Sequence, residues 1–465
     1  MATTKSAATE YSFKGGYPTA ETIRKASDEA DFQRAVTAYR FWYPTVSCEG
    51  MFNGNREIGA RDNEALILMA CGPRQVVFTG NSDTPYGAAV IDLRDGPWVV
   101  ELPPGPFIAL AMDHHQRWIL DMGLPGPDEG KGGKHVILPP GYKEQPPDGY
   151  HVGRSGSFKI SVAIRSMPVN GDVKGALDAL RTIKVYPLAT AAYPALLRFV
   201  DVTEKRMDCT SLRWEDNLTF WEKLRAVIDS EPVVDEFRPM YGLLAALGIE
   251  KGKPFAPDAR MKVILELAVK AGRDQMLVSS FASHRPDRMV WKDRKWEWVG
   301  LISDNGDFET PAGLDMEARD RWFAQAIVAS PAMFRRKVGF GSLYWLGQRD
   351  KDGAFLDGGK TYKLTVPQPV PAQLFWSVTV YDAQTRSQIQ TDQDKAALRS
   401  LFELKDRAGL STVDLYFGPK APGGHEGEWI RTIPGKGWFV YFRIYGPDRQ
   451  AFDGSWKPGD FEEVK

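Results

Sequence analysis

The chain has 465 residues, room for two or three domains. Charge nearly cancels, with 59 Lys and Arg against 60 Asp and Glu, so no general field draws nucleic acid or an anionic membrane. No stretch approaches the ~20 consecutive apolar residues that cross a bilayer.

The opening M-A-T-T-K-S-A-A-T-E has no apolar segment of the secretory kind. Read literally, it places the protein in the cytoplasm, or in the periplasm if a removed signal once preceded it. Residues 1 to about 25 are small and polar. From Thr22 to Phe41 the apolar spacing predicts helix. The aromatic run Y-R-F-W-Y-P from Tyr39 is expected in a core. From Gln75 the grammar changes to short apolar runs split by glycine and proline: Val76–Phe78, Ala88–Ile91, Trp98–Val100 and Phe107–Met112. That is antiparallel β-structure. The glycine-rich stretch 123–133 lacks G-K-[ST] and is expected to connect strands, not to cradle phosphate.

Helical spacing then returns over Val173–Tyr186, Trp214–Asp229, Pro232–Leu247, Arg260–Ser280 and Asp315–Val328, with Asp258 and Asn217 as helix starts. W-K-D-R-K-W-E-W, near residue 295, is expected as a hairpin strand. Pro331 and the glycines at 339, 341 and 347 mark a return to β-structure. The expected fold is α+β and β-dominated: two antiparallel β-sandwich or barrel units with a helical insertion between them. The divisions are residues 1–40 (arm and helix), 41–170 (first β-unit), 171–335 (mainly helical) and 336–465 (second β-unit).

The two β-units read alike. W-V-V-E-L-P-P-G-P-F-I-A-L-A-M-D-H-H-Q-R resembles T-Y-K-L-T-V-P-Q-P-V-P-A-Q-L-F-W-S-V-T-V-Y-D-A-Q-T-R, each closing on D-x-x-x-R: Asp113 with Arg117, and Asp382 with Arg386. Lys134–Gly141 answers Val413–Lys420, and Phe158–Arg165 answers Trp438–Arg443. Either one unit is duplicated or two unrelated sheets share a strand grammar.

Asn81-Ser-Asp83-Thr84-Pro-Tyr86, followed by V-I-D-L-R-D-G-P-W-V-V-E-L-P, resembles the signature of the family called domain of unknown function 1254. F-W-S-V-T-V-Y-D-A-Q-T-R-S, V-D-L-Y-F-G-P-K-A-P and G-W-F-V-Y-F-R-I-Y-G-P resemble its companion, domain of unknown function 1214. The resemblance implies two β-rich units with helical insertions and no single activity. Its members are often secreted or periplasmic, which this N-terminus does not show. His114 and His115 depart from it, since one apolar or polar residue is expected after the aspartate.

The first candidate for chemistry is Asp113, His114 and His115. An aspartate and a histidine on one strand face could activate water or bind a divalent metal. His115, His135 and His151 are the candidate metal ligands, although the cupin spacing is absent. Arg117, Arg386 or Arg443 could hold a carboxylate through the planar guanidinium fork, or Asp113–Arg117 and Asp382–Arg386 could be internal salt bridges holding loop ends. Asn81, Asp83 and Tyr86 would orient a substrate, with Asp382 beside them and Trp118, Trp376 and Tyr381 as walls. Asn81 and Asp83 also suit a turn. Nucleophile elbows, zinc motifs and dinucleotide fingerprints are missing, and Cys48, Cys71 and Cys209 form no C-x-x-C redox motif and at most one disulfide.

These residues lead to an expected hydrolase acting on a small organic substrate, anionic or neutral, in a cleft between the β-units, metal-assisted or not. The alternative is a non-catalytic protein that binds a small molecule or saccharide. A homodimer is expected on base rate; nucleic-acid and membrane partners are not.

Overall fold

The computed structural model of the chain describes residues 10–208, 212–301 and 307–464, so Cys209 lies outside the described residues. The chain forms two compact units: a smaller one of the segment up to Tyr43 with Arg213–Gln275, and a larger one of Pro44–Leu212 with Met276 onward.

Helix α1 (Ala20–Glu57) runs well past the predicted end at Phe41 and through Pro44. A proline inside a helix costs about 3 kcal/mol. Burial offsets it here, since Val46, Cys48 and Phe52 beyond it are fully buried. The other helices are α2 (Val173–Leu180), α3 (Thr219–Ser230), α4 (Arg238–Ala246), α5 (Ala259–Ala282), α6 (Met316–Phe323) and α7 (Pro331–Phe334). The Asp258 carboxylate accepts the Met261 N–H at 2.7 Å at the start of α5, as its position predicts. The predicted helix 173–186 stops at Leu180, because Lys184–Pro187 pairs as a strand instead. In the smaller unit the aromatic run is core, as expected: Tyr39 packs on Phe220, and Trp42 on Phe237 and Tyr241.

The larger unit holds two β-sandwiches. The strands of the first are β1 (Ala65–Met69), β2 (Tyr86–Asp92), β3 (Trp98–Leu102), β4 (Phe107–Asp113), β5 (Trp118–Gly123), β6 (Gly133–Leu138), β7 (Tyr150–Arg154), β8 (Lys159–Ser166) and β9 (Lys184–Pro187). Those of the second are β10 (Glu297–Trp298), β11 (Ser342–Gly347), β12 (Thr361–Pro367), β13 (Ala372–Asp382), β14 (Ala397–Arg399), β15 (Thr412–Gly418), β16 (Trp429–Arg431), β17 (Trp438–Pro447) and β18 (Glu462–Val464).

Strand for strand, one sandwich repeats the other. Sheet β1-β2-β8-β4-β5 matches β10-β11-β17-β13-β14, and sheet β7-β6-β3-β9 matches β16-β15-β12-β18. Arg198–Asp201 adds an edge strand to the first sheet alone. Within these matched sheets each repeat has one parallel pair, β6 with β7 and β15 with β16, and its other pairs are antiparallel. Register is shared too. Asp113 lies opposite Ile160 and Tyr86 opposite Arg165; Asp382 lies opposite Trp438 and Tyr344 opposite Arg443. Chain order, neighbours, direction and register all agree, so the two sandwiches are repeats of one unit.

Side chains alternate across each central strand. Ile160, Val162 and Ile164 of β8 enter the first sandwich core, and Val440, Phe442 and Ile444 of β17 enter the second. The intervening residues, Ser161, Ala163 and Arg165 in one and Tyr441 and Arg443 in the other, face away from those cores. They are also buried or nearly so, because the outward faces of the two main sheets meet around a common cavity.

Candidate functional site: a cavity between the repeated sheets

The cavity has a volume of about 140 Å³. Its first wall is the outward face of β2, β8 and β4, with Ala88, Ala163, Ile108 and Leu110; its second presents Tyr344 and Tyr441. Trp322, Ile327 and Met333, from α6 to α7, add apolar surface.

Two guanidiniums enter this apolar space from equivalent positions of the repeat. Arg165 is 8% exposed and Arg443 is 3% exposed. Arg443 donates to the Thr79 carbonyl at 3.0 Å and to Thr379 Oγ1 at 3.1 Å, while its Nε has no hydrogen-bond partner among the described residues. Arg165 lies over the ring of Tyr86, its cross-strand neighbour, at 5.8 Å. Neither arginine forms a salt bridge among the described residues. Burial opposes both charges; the tyrosines around them favour both, and the net direction of each pKa is upward. Burial raises the Tyr344 phenol, but Arg165 and Arg443 outweigh it and its pKa is lowered. At Tyr86 burial outweighs the opposing effect of Arg165, and the phenol is pushed up to about 12.

The nearest carboxylate to the Arg443 side is Asp83, and its position explains the Asn81-Ser-Asp83 motif. Asp83 Oδ2 accepts from Ser377 Oγ at 2.7 Å and from the Tyr445 hydroxyl at 3.2 Å; Asn81 donates to that same hydroxyl. The Tyr381 hydroxyl donates to the Gly80 carbonyl at 2.8 Å, and Arg399 to the Ser82 carbonyl at 2.7 Å. The motif therefore fastens a segment of the first repeat onto β13, β14 and β17 of the second. Asn81 and Tyr86 line the cavity, and Tyr381 backs Arg443. Asp121 lies on β5, two strands from Arg165. Its Oδ2 accepts the Ala332 N–H at 3.3 Å, its Oδ1 has no partner among the described residues, and burial pushes the carboxyl up to about 6.

The other predicted residues fall elsewhere. Asp113, His114 and His115 are buried but do not line the cavity. Asp113 bonds Arg117 Nε at 2.8 Å and the N–H groups of His115 and Arg117. His114 Nε2 stands 3.2 Å from Glu49, and His115 Nδ1 stands 3.0 Å from Thr45 Oγ1. Both rings thus turn toward α1; a turn follows Asp113, so strand alternation does not separate them. His135 is bound by Asp128 at 3.1 Å and stacks on His151, and His115 does not join them. Among the described residues no group of three His, Cys, Asp or Glu side chains could hold a metal ion.

Of the shared D-x-x-x-R only the aspartate is equivalent in the two repeats, each carboxylate accepting N–H groups of the turn that follows it. The left-handed turn residue is Gln116 in the first repeat and Arg386 in the second, so the second turn is one residue longer. Arg386 stacks on Phe78 at 4.9 Å, while Asp382 takes Lys436 at 2.8 Å. Trp376 is inside the second sandwich core, and Trp118 is 40% exposed. Sequence reading missed Arg165, Tyr344, Tyr441 and Asp121 as site residues. The alignment of Phe158–Arg165 with Trp438–Arg443 already carried the signal, since it placed two arginines at one position of the repeat.

Residues 67–187 match the family described as Protein of unknown function (DUF1254), and residues 341–449 match Protein of unknown function (DUF1214). The chain belongs to the paired DUF1254 and DUF1214 family. Each matched region of the pair supplies one tyrosine–arginine couple to the cavity, Tyr86 with Arg165 and Tyr344 with Arg443. The crystal structure of the VPA0106 protein from Vibrio parahaemolyticus is similar in fold, with a TM-score of 0.57 and 17% identity over 94% of this chain and 100% of that one. An uncharacterized protein from Burkholderia cenocepacia aligns over 96% of both chains at 13% identity and a TM-score of 0.40. No curated protein matches the chain.

Proposed function

We propose that the chain binds a small organic carboxylate in the cavity between its two repeats. The observation that supports this is the pair of buried guanidiniums, Arg165 and Arg443, with no salt-bridged carboxylate among the described residues. A charge taken out of water costs several kcal/mol unless it is paired. Asp83 supplies one negative charge near Arg443 and is already held by two hydroxyls. A second anion, held through the planar fork of either arginine, completes the balance. The walls are otherwise mainly apolar, with Asn81, Asp121, Ser161 and Ser330 among the polar side chains, and a cavity of roughly 150 Å³ accommodates a benzene ring. The ligand is therefore ring-sized, with about ten non-hydrogen atoms, and its affinity falls in the micromolar to millimolar range. Water activation by Asp113, His114 and His115 is not part of this proposal, because the cavity does not include them.

Calorimetric titration with benzoate tests it. Wild-type protein is expected to bind one equivalent, and Arg165→Met and Arg443→Met to weaken binding by about 100-fold each, the scale of a charged hydrogen bond lost from a dry site. Because Arg165→Met also removes a buried charge with no salt bridge among the described residues, that variant should melt no lower than wild type when ligand-free. Absence of benzoate binding, or undiminished binding by both variants, would overturn the reading.

A further inference from the structure

The arginine pair occupies one part of the cavity only. The cross-strand register locates the rest. Arg165 on β8 lies opposite Ile108 on β4, whereas Asp121 on β5 lies opposite Leu110, two residues further along β4. Neighbouring strands are about 4.8 Å apart and residues advance about 3.4 Å along a strand, so the two Cα atoms are roughly 12 Å apart on one sheet face. Both side chains border the cavity, and the apolar side chains of Ile108 and Leu110 lie between them.

Asp121 is 8% exposed and its Oδ1 has no hydrogen-bond partner among the described residues. An acceptor buried without a donor costs about 1–3 kcal/mol. It is not the partner of either arginine, since no salt bridge joins them, and the cation nearest to it in charge effect is Arg335. The cavity therefore has two poles: cationic donors at one end, and at the other a carboxyl on which Ala332, Ser330 and Trp118 act but whose Oδ1 has no hydrogen-bond partner among the described residues.

Resting on the carboxylate-binding reading above, we propose that the ligand carries a second polar group, a hydrogen-bond donor such as a hydroxyl, opposite its carboxylate, and that Asp121 receives it. The chemical class is a short, ring-sized hydroxy acid with an apolar middle. Benzoate would fill the cationic pole and the apolar centre and leave Asp121 unsatisfied. A donor across the ring reaches toward Asp121, and a methyl group of the same size places no donor there. Asp121 is then a specificity-determining residue. A site that hydrogen-bonds a hydroxyl discriminates strongly against an analogue lacking it, because its own polar group stays unpaired.

The test compares 4-hydroxybenzoate with 4-methylbenzoate at pH 7.5 by calorimetry, in wild-type protein and in Asp121→Leu. The wild type is expected to prefer the hydroxy acid at least tenfold. Asp121→Leu should abolish or reverse that preference; a melting curve checks that the variant is folded. Equal affinity of the wild type for the two acids, or a preference that survives in Asp121→Leu, overturns the assignment of Asp121. If wild-type protein binds benzoate but neither para-substituted acid, the cavity ends before Asp121 and this inference fails alone. If benzoate itself does not bind, the carboxylate-binding reading fails first. Should Asp121→Leu not fold, the wild-type comparison of the two acids still decides.

Discussion

Asp121 illustrates how burial converts an ordinary residue into a sensitive one. Its carboxyl is held up at about 6, against 3.8 for an exposed aspartate. Between those values the folded protein keeps a proton that the unfolded chain has lost. Its contribution to stability is therefore full below about pH 4 and disappears as pH rises through 6. Two pKa units correspond to about 3 kcal/mol. Asp121→Asn is neutral at every pH, so its stability relative to wild type should rise by about 2–3 kcal/mol between pH 4 and pH 7, read from urea midpoints at each pH. A constant difference across that range would show the carboxyl to be solvated. At this scale the cavity is costly for the empty protein, with one carboxyl oxygen lacking a hydrogen bond and two guanidiniums lacking a salt bridge among the described residues, which is the common character of binding sites.

At the scale of elements, the turn after β4 joins a sheet to a helix. His114 meets Glu49 on α1, and His115 meets Thr45 one turn earlier. Burial raises the Glu49 carboxyl, but His114 and then Arg56 more than reverse it, to about 2. Here the sign is opposite to that of Asp121. Glu49 contributes stability above the unfolded value near 4.5, and that contribution is lost as pH falls toward 2. His114→Ala leaves Glu49 with Arg56 and Lys159. It should cost about 1–3 kcal/mol at pH 7 and move the acid-unfolding midpoint upward by about one pH unit, followed by far-ultraviolet circular dichroism. An unshifted acid midpoint would show that the histidine carries no share of Glu49's low pKa. Benzoate affinity should not change, since the cavity does not include this turn.

For the larger unit as a whole, the decisive feature is that two copies of one sandwich present their outward sheet faces to one space. The Asn81–Asp83 segment fastens one repeat to the other, and Asp83 also places a negative charge near Arg443. Stability and affinity therefore respond to it in opposite senses. Asp83→Asn should lower stability by about 1–3 kcal/mol, since hydroxyl donors lose a charged acceptor. It should tighten benzoate binding about fivefold, which is about 1 kcal/mol of removed repulsion. Damage to the packing alone would lower both.

The sequence by itself determined the strand grammar, the two β-units, the aromatic core before Pro44 and the family, because each of these rests on local periodicity or on letters in order. It even aligned Arg165 with Arg443. Which residues share the cavity was decided only in three dimensions. Strands buried on both faces lose the alternation that distinguishes core from site: Ile164 and Arg165 are neighbours on one strand, and only the sheet that packs on the far side gives Arg165 its role. The histidine pair was prominent as letters, yet the helix that docks on its turn, beyond the predicted end of α1, absorbed it. D-x-x-x-R looked repeated because spacing in a chain says nothing of which residue bends the turn. Contacts between segments hundreds of residues apart are set by packing of whole sheets, and no window along the chain contains that information.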